Sequence, residues 1–266
     1  MRRTTNQWRS DVFEDLKGRV AVVTGGAGGI GYSIATAYAD QGMDVALLDL
    51  SPSVAESAAK LAADYGVRTT GQVVDVTDPD NVEAAFVAVD AELGTPTVLL
   101  AAAGLTIIGD SVDYPQSKWR TVMGVNVDGV FYTTQSFAKR ALKADRPASA
   151  ILISSMSGFA VNVPQRQAAY NASKAAVHQL AASLGVEWAT DGVRVNTIAP
   201  GYVATDLTKE VIEADPVLAN EWISRIPMGR MATPEDLHGL ALYLASDASS
   251  YLTAQSIIID GGYTAI

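Results

Sequence analysis

The sequence predicts an α/β fold built on a single, doubly wound parallel sheet of seven strands with helices on both faces. Three observations carry this prediction. Short runs rich in β-branched and aliphatic residues recur along the chain, and segments with helical spacing of apolar residues separate them. The runs are apolar throughout, which is typical of strands in a parallel sheet covered on both faces. No linker rich in Pro, Gly or Ser divides the chain, so we assign all the strands to one domain.

The predicted strands, in chain order, are RVAVV at 19–23, DVALL at 44–48, GQVVDV at 71–76, TVLLAA at 97–102, AILIS at 150–154, VRVNTI at 193–198 and SIIID at 256–260. Between the first two strands, Ile30, Ile34 and Tyr38 are spaced as on one face of a helix that ends before Gly42. A second helical pattern covers residues 119–142.

Residues 201–231 break this alternation of strands and helices, because they show no strand pattern and carry prolines at 216 and 227. A long irregular insertion in a compact domain is more often a binding loop than a connection, so we expect a substrate lid at about 202–231. A pair of helices that only covers surface is the open alternative. The next segment, TPEDL at 233–237, predicts a helix start with Thr233 as its N-cap.

Composition argues against several function classes. The chain has no cysteine, so a disulfide framework, a thiolate nucleophile and a cysteine-based metal site are impossible, and we expect no metal. A net charge of -10 with scattered basic residues argues against nucleic acid as a partner. No apolar run approaches the roughly 20 residues of a membrane span, and no apolar stretch follows Arg2 and Arg3. We therefore expect a cytoplasmic protein without membrane contact.

A glycine-rich segment, TGGAGGIG, follows the first predicted strand directly and leads into the first predicted helix. Gly25, Gly29 and Gly31 allow a tight turn and a close approach to a pyrophosphate, and with Ile30 they open a helix whose first N–H groups are free. Glycines alone are a weak signal. Their position between the first strand and the first helix predicts a dinucleotide site of the Rossmann type.

Acidic residues follow the second and third strands. Asp49 lies 18 positions after Gly31, where a carboxylate can accept hydrogen bonds from both adenosine ribose hydroxyls and repels a 2′-phosphate. NAD is therefore favoured over NADP, with capping of the SPS turn as the open alternative for Asp49. Asp75, followed by Val76, could meet the adenine edge or could cap a turn.

The stretch YNASK places Tyr170 and Lys174 four residues apart, on one face of a predicted helix. A free phenol has a pKa of about 10 and is a poor base at neutral pH. Lowering that pKa by about three units takes roughly 4 kcal/mol, which one positive charge about 4 Å away can supply at a dielectric near 20. The pair is a candidate general base that removes a hydroxyl proton, or returns it, as hydride moves to or from a nicotinamide.

Five motifs stand in a fixed order along the chain: TGGAGGIG, NVDG at 126–129, SSMSG at 154–158, YNASK at 170–174 and PGYVAT at 200–205. In order and spacing they resemble the short-chain dehydrogenase/reductase family. The resemblance extends from about Lys17 to the DGG at 260–262. It implies a Rossmann-type catalytic domain at 15–266, preceded by an N-terminal extension at 1–14 that is either mobile or packed on a neighbouring subunit.

The resemblance implies a catalytic role for four residues. Tyr170 would be the catalytic base or acid, and Lys174 would lower the pKa of Tyr170 while holding the nicotinamide ribose. Ser155 would hydrogen-bond the reacting oxygen. Asn126 would anchor a water leading from Lys174 to solvent, unless it is only a buried polar group of its helix.

Ser155 has two rivals, Ser154 and Ser157, and could also simply cap the end of a strand. We choose Ser155 because its SxxG spacing to Gly158 matches the family's pattern.

The PGYVAT motif resembles the loop on the nicotinamide side, where the backbone of Val203 and the hydroxyl of Thr205 would meet the carboxamide. One departure occurs at 101–104, where this chain has AAAG and the family commonly has Asn-Asn-Ala-Gly. We expect weaker side-chain anchoring there but no loss of chemistry. The candidate coenzyme-binding residues are Gly25, Gly29, Ile30, Gly31, Asp49, Asp75, Val76, Ala103, Gly104, Tyr170, Lys174, Pro200, Gly201, Val203 and Thr205.

Within the family, the runs SMSGFAVNVPQ, GVNVDGVF, PGYVATDLT, RIPMGR and DGGYT are most similar to NAD-linked polyol dehydrogenases. This implies an oxidoreductase that converts a secondary alcohol of a polyol into a ketose, with a small-molecule alcohol or ketone as its partner. Ser157, Asn162 and Gln165 are candidate substrate residues, with a structural role equally open for each.

Two other functions stay open. The first is a 3-oxoacyl-thioester reductase, against which Asp49 and the acidic composition argue. The second is a non-catalytic dinucleotide-binding protein on the same fold. The family is usually tetrameric, so we expect a homotetramer, with Phe131, Tyr132 and Phe137 as apolar surface to be covered.

Overall fold

The structure, a computed structural model, describes residues 13–205, 208 and 215–266. A sheet of seven strands has the order β3-β2-β1-β4-β5-β6-β7, and its neighbouring strands pair in parallel. The strands are β1 Val20–Thr24, β2 Asp44–Asp49, β3 Thr69–Val73, β4 Val98–Ala101, β5 Ala148–Ile153, β6 Val193–Pro200 and β7 Ser256–Ile259. The predicted fold class is confirmed.

Helices alternate with these strands along the chain. They are α1 Gly29–Asp40, α2 Val54–Tyr65, α3 Pro79–Glu92, α4 Gln116–Met123, α5 Gly129–Ala144, α6 Ala168–Glu187, α7 Pro216–Ser224 and α8 His238–Ala245. None of the helices in the described part of the chain combines the length and apolarity needed to cross a membrane.

Two apolar clusters flank the sheet and explain why its strands are apolar throughout. One cluster joins the sheet to α1, α2 and α8, and the other joins it to α3, α5 and α6. Successive strand residues point to opposite faces, so Ala21 and Val23 of β1 pack in the first cluster while Val20 and Val22 pack in the second. Each central strand therefore buries both faces.

The strand order reverses between β1 and β4. The chain moves outward from β1 to β2 and β3, and then returns to add β4 on the other side of β1. In open α/β sheets a ligand crevice forms outside the carboxyl ends of the strands at such a reversal. The glycine-rich segment leaves β1 at this point and leads into α1.

The third strand differs from its prediction. It starts at Thr69 and ends at Val73, because the β-branched Thr69 and Thr70 pair with Val45 and Ala46 of β2. Asp75 therefore lies beyond the strand, not at its end. The other strands shift by one or two residues at their ends.

The helical pattern at 119–142 corresponds to three segments. α4 and α5 are joined by a π-helical turn, Gly124–Asp128, which contains Asn126. Such turns occur frequently at functional sites. The predicted start at TPEDL is confirmed as a short 3₁₀ helix, Pro234–Leu237, with a capping box between Thr233 and Asp236.

Parts of two predicted segments lie outside the described residues: 1–12 of the N-terminal extension, and 206–207 and 209–214 of the lid. Phe13 is buried in the core, two residues before the predicted start of the catalytic domain. Within the described lid residues, Asp215 caps α7 through Leu218 N, and Val203 forms a parallel bridge with Ala232.

Candidate active site

A cavity of about 360 Å³ opens beyond the carboxyl ends of β4, β5 and β6. Its wall includes three of the four predicted catalytic residues, which are Ser155, Tyr170 and Lys174. All three predicted substrate residues also line it, and so do six of the predicted coenzyme residues besides Tyr170 and Lys174. These six are Ile30, Gly104, Pro200, Gly201, Val203 and Thr205.

Tyr170 and Lys174 lie one turn apart on α6, and Lys174 Nζ is 5.6 Å from the centre of the Tyr170 ring. The lysine is 3% exposed, and its Nζ donates a hydrogen bond to the carbonyl of Ile153 at 2.9 Å. Burial lowers the pKa of Lys174 to about 8. The side chain is therefore mainly an ammonium at neutral pH, with two N–H groups left for other partners.

The pKa of Tyr170 is raised, whereas we expected Lys174 to lower it. Burial raises the pKa of the Tyr170 phenol, and a hydrogen bond with Ser155 opposes that effect without cancelling it. The Lys174 ammonium lies beside the ring and spends one N–H on Ile153, so in this state it does not offset the desolvation. The phenol is held protonated, which suits the donation of a proton to a carbonyl oxygen.

Ser155 lies in the turn after β5. Its Oγ accepts a hydrogen bond from Ser157 N at 3.1 Å and thereby caps a short 3₁₀ turn, while it also contacts the Tyr170 phenol. The rival Ser154 faces α6, since its Oγ donates to the Lys174 carbonyl and lies 3.0 Å from His178 Nε2. The structure thus brings Ser155 together with the phenol, and Ser155 caps a turn as well.

Asn126 is fully buried in the π-helical turn and ties two elements together. Its Oδ1 accepts from Leu105 N, and its Nδ2 donates to Leu105 O and to Ser173 Oγ, each at 2.9 Å. These bonds fix the loop after β4 against α6. Both amide hydrogens of Asn126 already have acceptors, so a water could bind this residue only through one of its oxygen atoms. The water itself stays a prediction.

The glycine-rich loop contains positions that accept no side chain. A Cβ at Gly31 would lie 2.2 Å from Gly25 O, and Gly25 itself has a φ of +67° and lies against the backbone of Ala103. By contrast, no atom lies within 4 Å of a Cβ built on Gly28. The loop therefore leaves open space above the start of α1, whose first N–H groups are suited to a pyrophosphate. These residues fit the dinucleotide that the motif predicts.

The AAAG segment is held by Thr24 instead of by asparagine side chains. Ala102 N donates to Thr24 O at 3.2 Å, and Ala103 N donates to Thr24 Oγ1 at 3.3 Å. A Cβ at Gly104 would lie 3.2 Å from Lys174 Nζ, so the backbone passes close to the catalytic lysine. Thr24, the last residue of β1, therefore supplies part of the anchoring that asparagine side chains would give this segment.

Asp49 ends β2 and lies beside the glycine-rich loop. One carboxylate oxygen accepts from Ala27 N at 3.0 Å and the other from Ser51 N at 2.9 Å. Asp49 therefore caps the following turn, as the alternative has it, and also reaches the glycine-rich loop, whereas its contact with a ribose stays a prediction. Each oxygen keeps a lone pair for a further donor such as a ribose hydroxyl.

Asp75 caps a turn. Its Oδ1 accepts from both Thr77 N at 2.9 Å and Thr77 Oγ1 at 2.7 Å. The adjacent Val76 is buried in the core, and a Cβ at Gly129 would come within 2.7 Å of its side chain. The geometry supports the turn-capping alternative for Asp75.

The substrate side of the cavity is a connected row of polar side chains. Ser157 Oγ donates to Asn162 Oδ1 at 2.7 Å, and Asn162 Nδ2 donates to the Tyr202 hydroxyl at 3.2 Å. Gln165 Nε2 donates to the same hydroxyl at 3.0 Å. Sequence reasoning missed Tyr202 and Trp222, whose rings stack 4.6 Å apart. The only available signal for Tyr202 was its place in PGYVAT.

Comparison with known proteins identifies the family. The solved structure of a short-chain type dehydrogenase/reductase from Mycobacterium marinum matches with a TM-score of 0.90 and 37% identity, over 96% of this chain and 98% of that chain. A family model described as enoyl-(acyl carrier protein) reductase matches residues 25–264. This chain belongs to the short-chain dehydrogenase/reductase family. The predicted family is thus confirmed, and the protein is an oxidoreductase.

Curated relatives within the family act on sugars and sugar alcohols. The sorbose reductase of Candida albicans is 41% identical over 96% of this chain and 89% of the relative. The galactitol 2-dehydrogenase (L-tagatose-forming) of Cereibacter sphaeroides is 41% identical over 94% of this chain and 96% of the relative. Names among the relatives include both NADP-dependent and NADH-dependent enzymes, so family membership leaves the coenzyme open.

Proposed function

We propose that this enzyme transfers a hydride between NAD and a secondary alcohol carbon of a polyol, with a ketose as the oxidised partner. The observation that carries the proposal is one cavity that combines Tyr170, Ser155 and Lys174 with the polar row from Ser157 to Gln165. A polyol presents several hydroxyl groups, and a wall of amides and hydroxyls can match them. Relatives about 40% identical that act on galactitol, arabinitol and sorbose support the same substrate class.

Each residue then has a defined task. When bound, NAD supplies the hydride acceptor and the positive charge of its nicotinamide ring. In polyol oxidation Ser155 holds the substrate hydroxyl oxygen against Tyr170, which must first lose its own phenol proton to solvent; the phenolate then takes the hydroxyl proton as the hydride leaves the carbinol carbon. Lys174 supplies a buried positive charge beside the phenol, with N–H groups free for a ribose. In ketose reduction the same phenol returns the proton to the carbonyl oxygen.

The preference for NAD rests on Asp49. Its carboxylate lies at the glycine-rich loop, where it can accept hydrogen bonds from ribose hydroxyls and repels a 2′-phosphate.

Charge supports a neutral substrate. Among the described residues that line the cavity, Lys174 alone carries a formal charge. A thioester of CoA or of an acidic carrier protein would gain from a basic entrance, whereas this chain has a net charge of -10. All four predicted catalytic residues are present, and Asn126 holds the loop at Leu105 beside the other three. This argues against a non-catalytic dinucleotide-binding protein.

We further propose a homotetramer. Exposed apolar side chains on α6 and β7, such as Val186 at 72% and Ile258 at 37%, are suited to an interface. Phe137, which we expected at such a surface, is instead fully buried in the cluster formed by α3, α5 and α6.

A coenzyme and substrate panel tests the proposed function. The purified enzyme should reduce NAD with at least one polyol of four to six carbons, monitored by NADH absorbance, and should prefer NAD to NADP. Activity confined to acetoacetyl thioesters with NADPH would overturn the proposal.

A further inference from the structure

His178 lies on α6 one turn beyond Lys174, behind the wall of the cavity. Its ring reaches the end of β5, where Nε2 is 3.0 Å and Nδ1 is 3.1 Å from Ser154 Oγ. The ring also contacts the backbone of Ser155. Burial lowers the pKa of His178 to about 4, so the ring is neutral at pH 7 and has one N–H to donate. The proposed mechanism gives this side chain no task.

The hydroxyl of Ser154 has a full set of partners when His178 donates to it. A hydroxyl has one hydrogen and two lone pairs. Ser154 Oγ gives its hydrogen to the carbonyl of Lys174 at 3.3 Å and accepts from Ser155 N. Its second lone pair is free for Nε2–H of the imidazole, while Nδ1 lies 3.4 Å from Thr197 Oγ1 and can accept from it. This arrangement satisfies the hydroxyl and both ring nitrogens.

Gly158, the last residue of the SSMSG motif, makes room for the imidazole. A Cβ at Gly158 would lie 2.4 Å from His178 Nε2, a distance that no side chain tolerates. The Phe159 ring packs against the imidazole with 3.9 Å between the ring centres. The turn after β5 is therefore closed onto His178 by packing as well as by hydrogen bonds.

The bond from His178 is the first link of a chain that ends at the reacting groups. His178 donates to Ser154 Oγ, which accepts from the amide of Ser155. The hydroxyl of Ser155 in turn contacts the phenol of Tyr170. Without the first link, the peptide group before Ser155 loses part of its attachment to α6, and the Ser155 hydroxyl is held less firmly at the phenol.

We propose that His178 is a positioning residue, whose imidazole N–H holds Ser154 and thereby keeps the Ser155 hydroxyl against the Tyr170 phenol. This inference rests on the proposed function, in which Ser155 holds the substrate oxygen. The effect should fall on kcat, because a fixed donor stabilises the charge that develops on that oxygen in the transition state. His178 itself touches no reacting atom.

His178→Leu tests the link, because leucine fills part of the space and donates no hydrogen bond. We expect kcat with the best polyol to fall about threefold to tenfold, the effect of one neutral hydrogen bond, while the KM for NAD changes by less than about twofold. His178→Gln keeps an N–H donor and should lie closer to wild type. A loss of kcat as large as that of His178→Leu would overturn the donor role.

His238→Leu is the matched control. It removes the other histidine of the chain, which also bonds a serine, Ser33 of α1, but lies outside the cavity wall. The variant should lose stability and keep the wild-type kcat when it is assayed well below its melting temperature.

A double-mutant cycle separates positioning from a general loss of stability. Ser154→Ala removes the hydroxyl that links His178 to Ser155, so His178→Leu should lower kcat no further in that background. Equal losses with and without the Ser154 hydroxyl would overturn the proposal. So would a wild-type kcat in a folded His178→Leu enzyme.

Hydrogen exchange distinguishes this inference from the function on which it rests. Measured by mass spectrometry without substrate, a peptide spanning 150–160 should exchange faster in His178→Leu than in wild type or His238→Leu. If the wild-type enzyme oxidises no polyol, the proposed function fails, and the exchange rates still decide whether His178 holds the turn. If the wild type oxidises polyols and His178→Leu matches it in exchange and kcat, only the role of His178 is refuted.

Discussion

At the scale of single residues, proton transfer depends on three groups held within one turn of α6 and the end of β5. Burial keeps the Tyr170 phenol protonated and lowers the pKa of Lys174 to about 8. Ser155 partly relieves the cost of ionising the phenol. The hydroxyl of residue 170 is therefore the group on which turnover should depend most strongly.

Tyr170→Phe should lower kcat by about two to four orders of magnitude, the usual contribution of a general acid or base. NADH affinity, measured by fluorescence titration, should change by no more than a few-fold because the ring remains. A variant with near-normal turnover would remove Tyr170 from the reaction.

Asp49→Ala should lower the ratio of kcat/KM for NAD to that for NADP by about tenfold or more, since the repulsion of a 2′-phosphate is lost. Asp49→Asn is the control that keeps the side-chain shape and the hydrogen bond from Ala27 N or Ser51 N while removing the charge. An unchanged ratio in both variants would show that another residue reads the ribose.

Some residues of the site could be predicted from the sequence, and others could not. Tyr170, Lys174 and Ser155 belong to short motifs, so their proximity follows from local structure. Tyr202 stacks on Trp222, which lies twenty positions later in the chain. No periodicity in the sequence predicts a contact between residues so far apart.

At the scale of elements, the joint between β1 and α1 depends on the absence of a side chain at Gly31. Gly31→Ala would press a Cβ against the carbonyl of Gly25, so we expect a loss of about 1–3 kcal/mol in the free energy of unfolding. Thermal melting without coenzyme measures this, and Gly28→Ala is the control because its Cβ would meet no atom within 4 Å. Equal melting temperatures for the two variants would contradict the tight joint.

Elements were predictable where the pattern is local and strong. The central strands, such as β1, β4 and β5, were found because their residues are apolar on both faces. The start of β3 was missed because Thr69 and Thr70 are polar and become strand residues only by pairing with β2. The π-helical turn at Asn126 was missed because an extra residue in a helix leaves the apolar pattern nearly unchanged.

At the scale of the whole molecule, His178 links α6 to the strand ends and should make stability depend on pH. Its ring packs 3.9 Å from that of Phe159 and lies beside Ser154 and Thr197. Burial, with a smaller effect of the Lys174 charge, lowers the pKa of His178 to about 4 from its ordinary value of 6.5. The unfolded chain then binds more protons than the folded chain between these values.

The free energy of unfolding should therefore fall as the pH drops from 6.5 towards 4. Urea unfolding across this range should show a shallower loss for His178→Gln than for wild type. His238→Gln should also make the loss shallower, because burial likewise lowers the pKa of His238, which bonds Ser33 on the far side of the sheet. A His178→Gln profile parallel to that of wild type would contradict the assignment.

Transfer of deuterium tests the central claim most directly. A polyol labelled with deuterium on its secondary carbinol carbons is incubated with the enzyme and NAD, and the products are analysed by mass spectrometry. We predict NADH that carries one deuterium, formed together with one ketose per coenzyme. NADH without deuterium, or no NADH with any polyol, would contradict direct hydride transfer from a polyol to NAD.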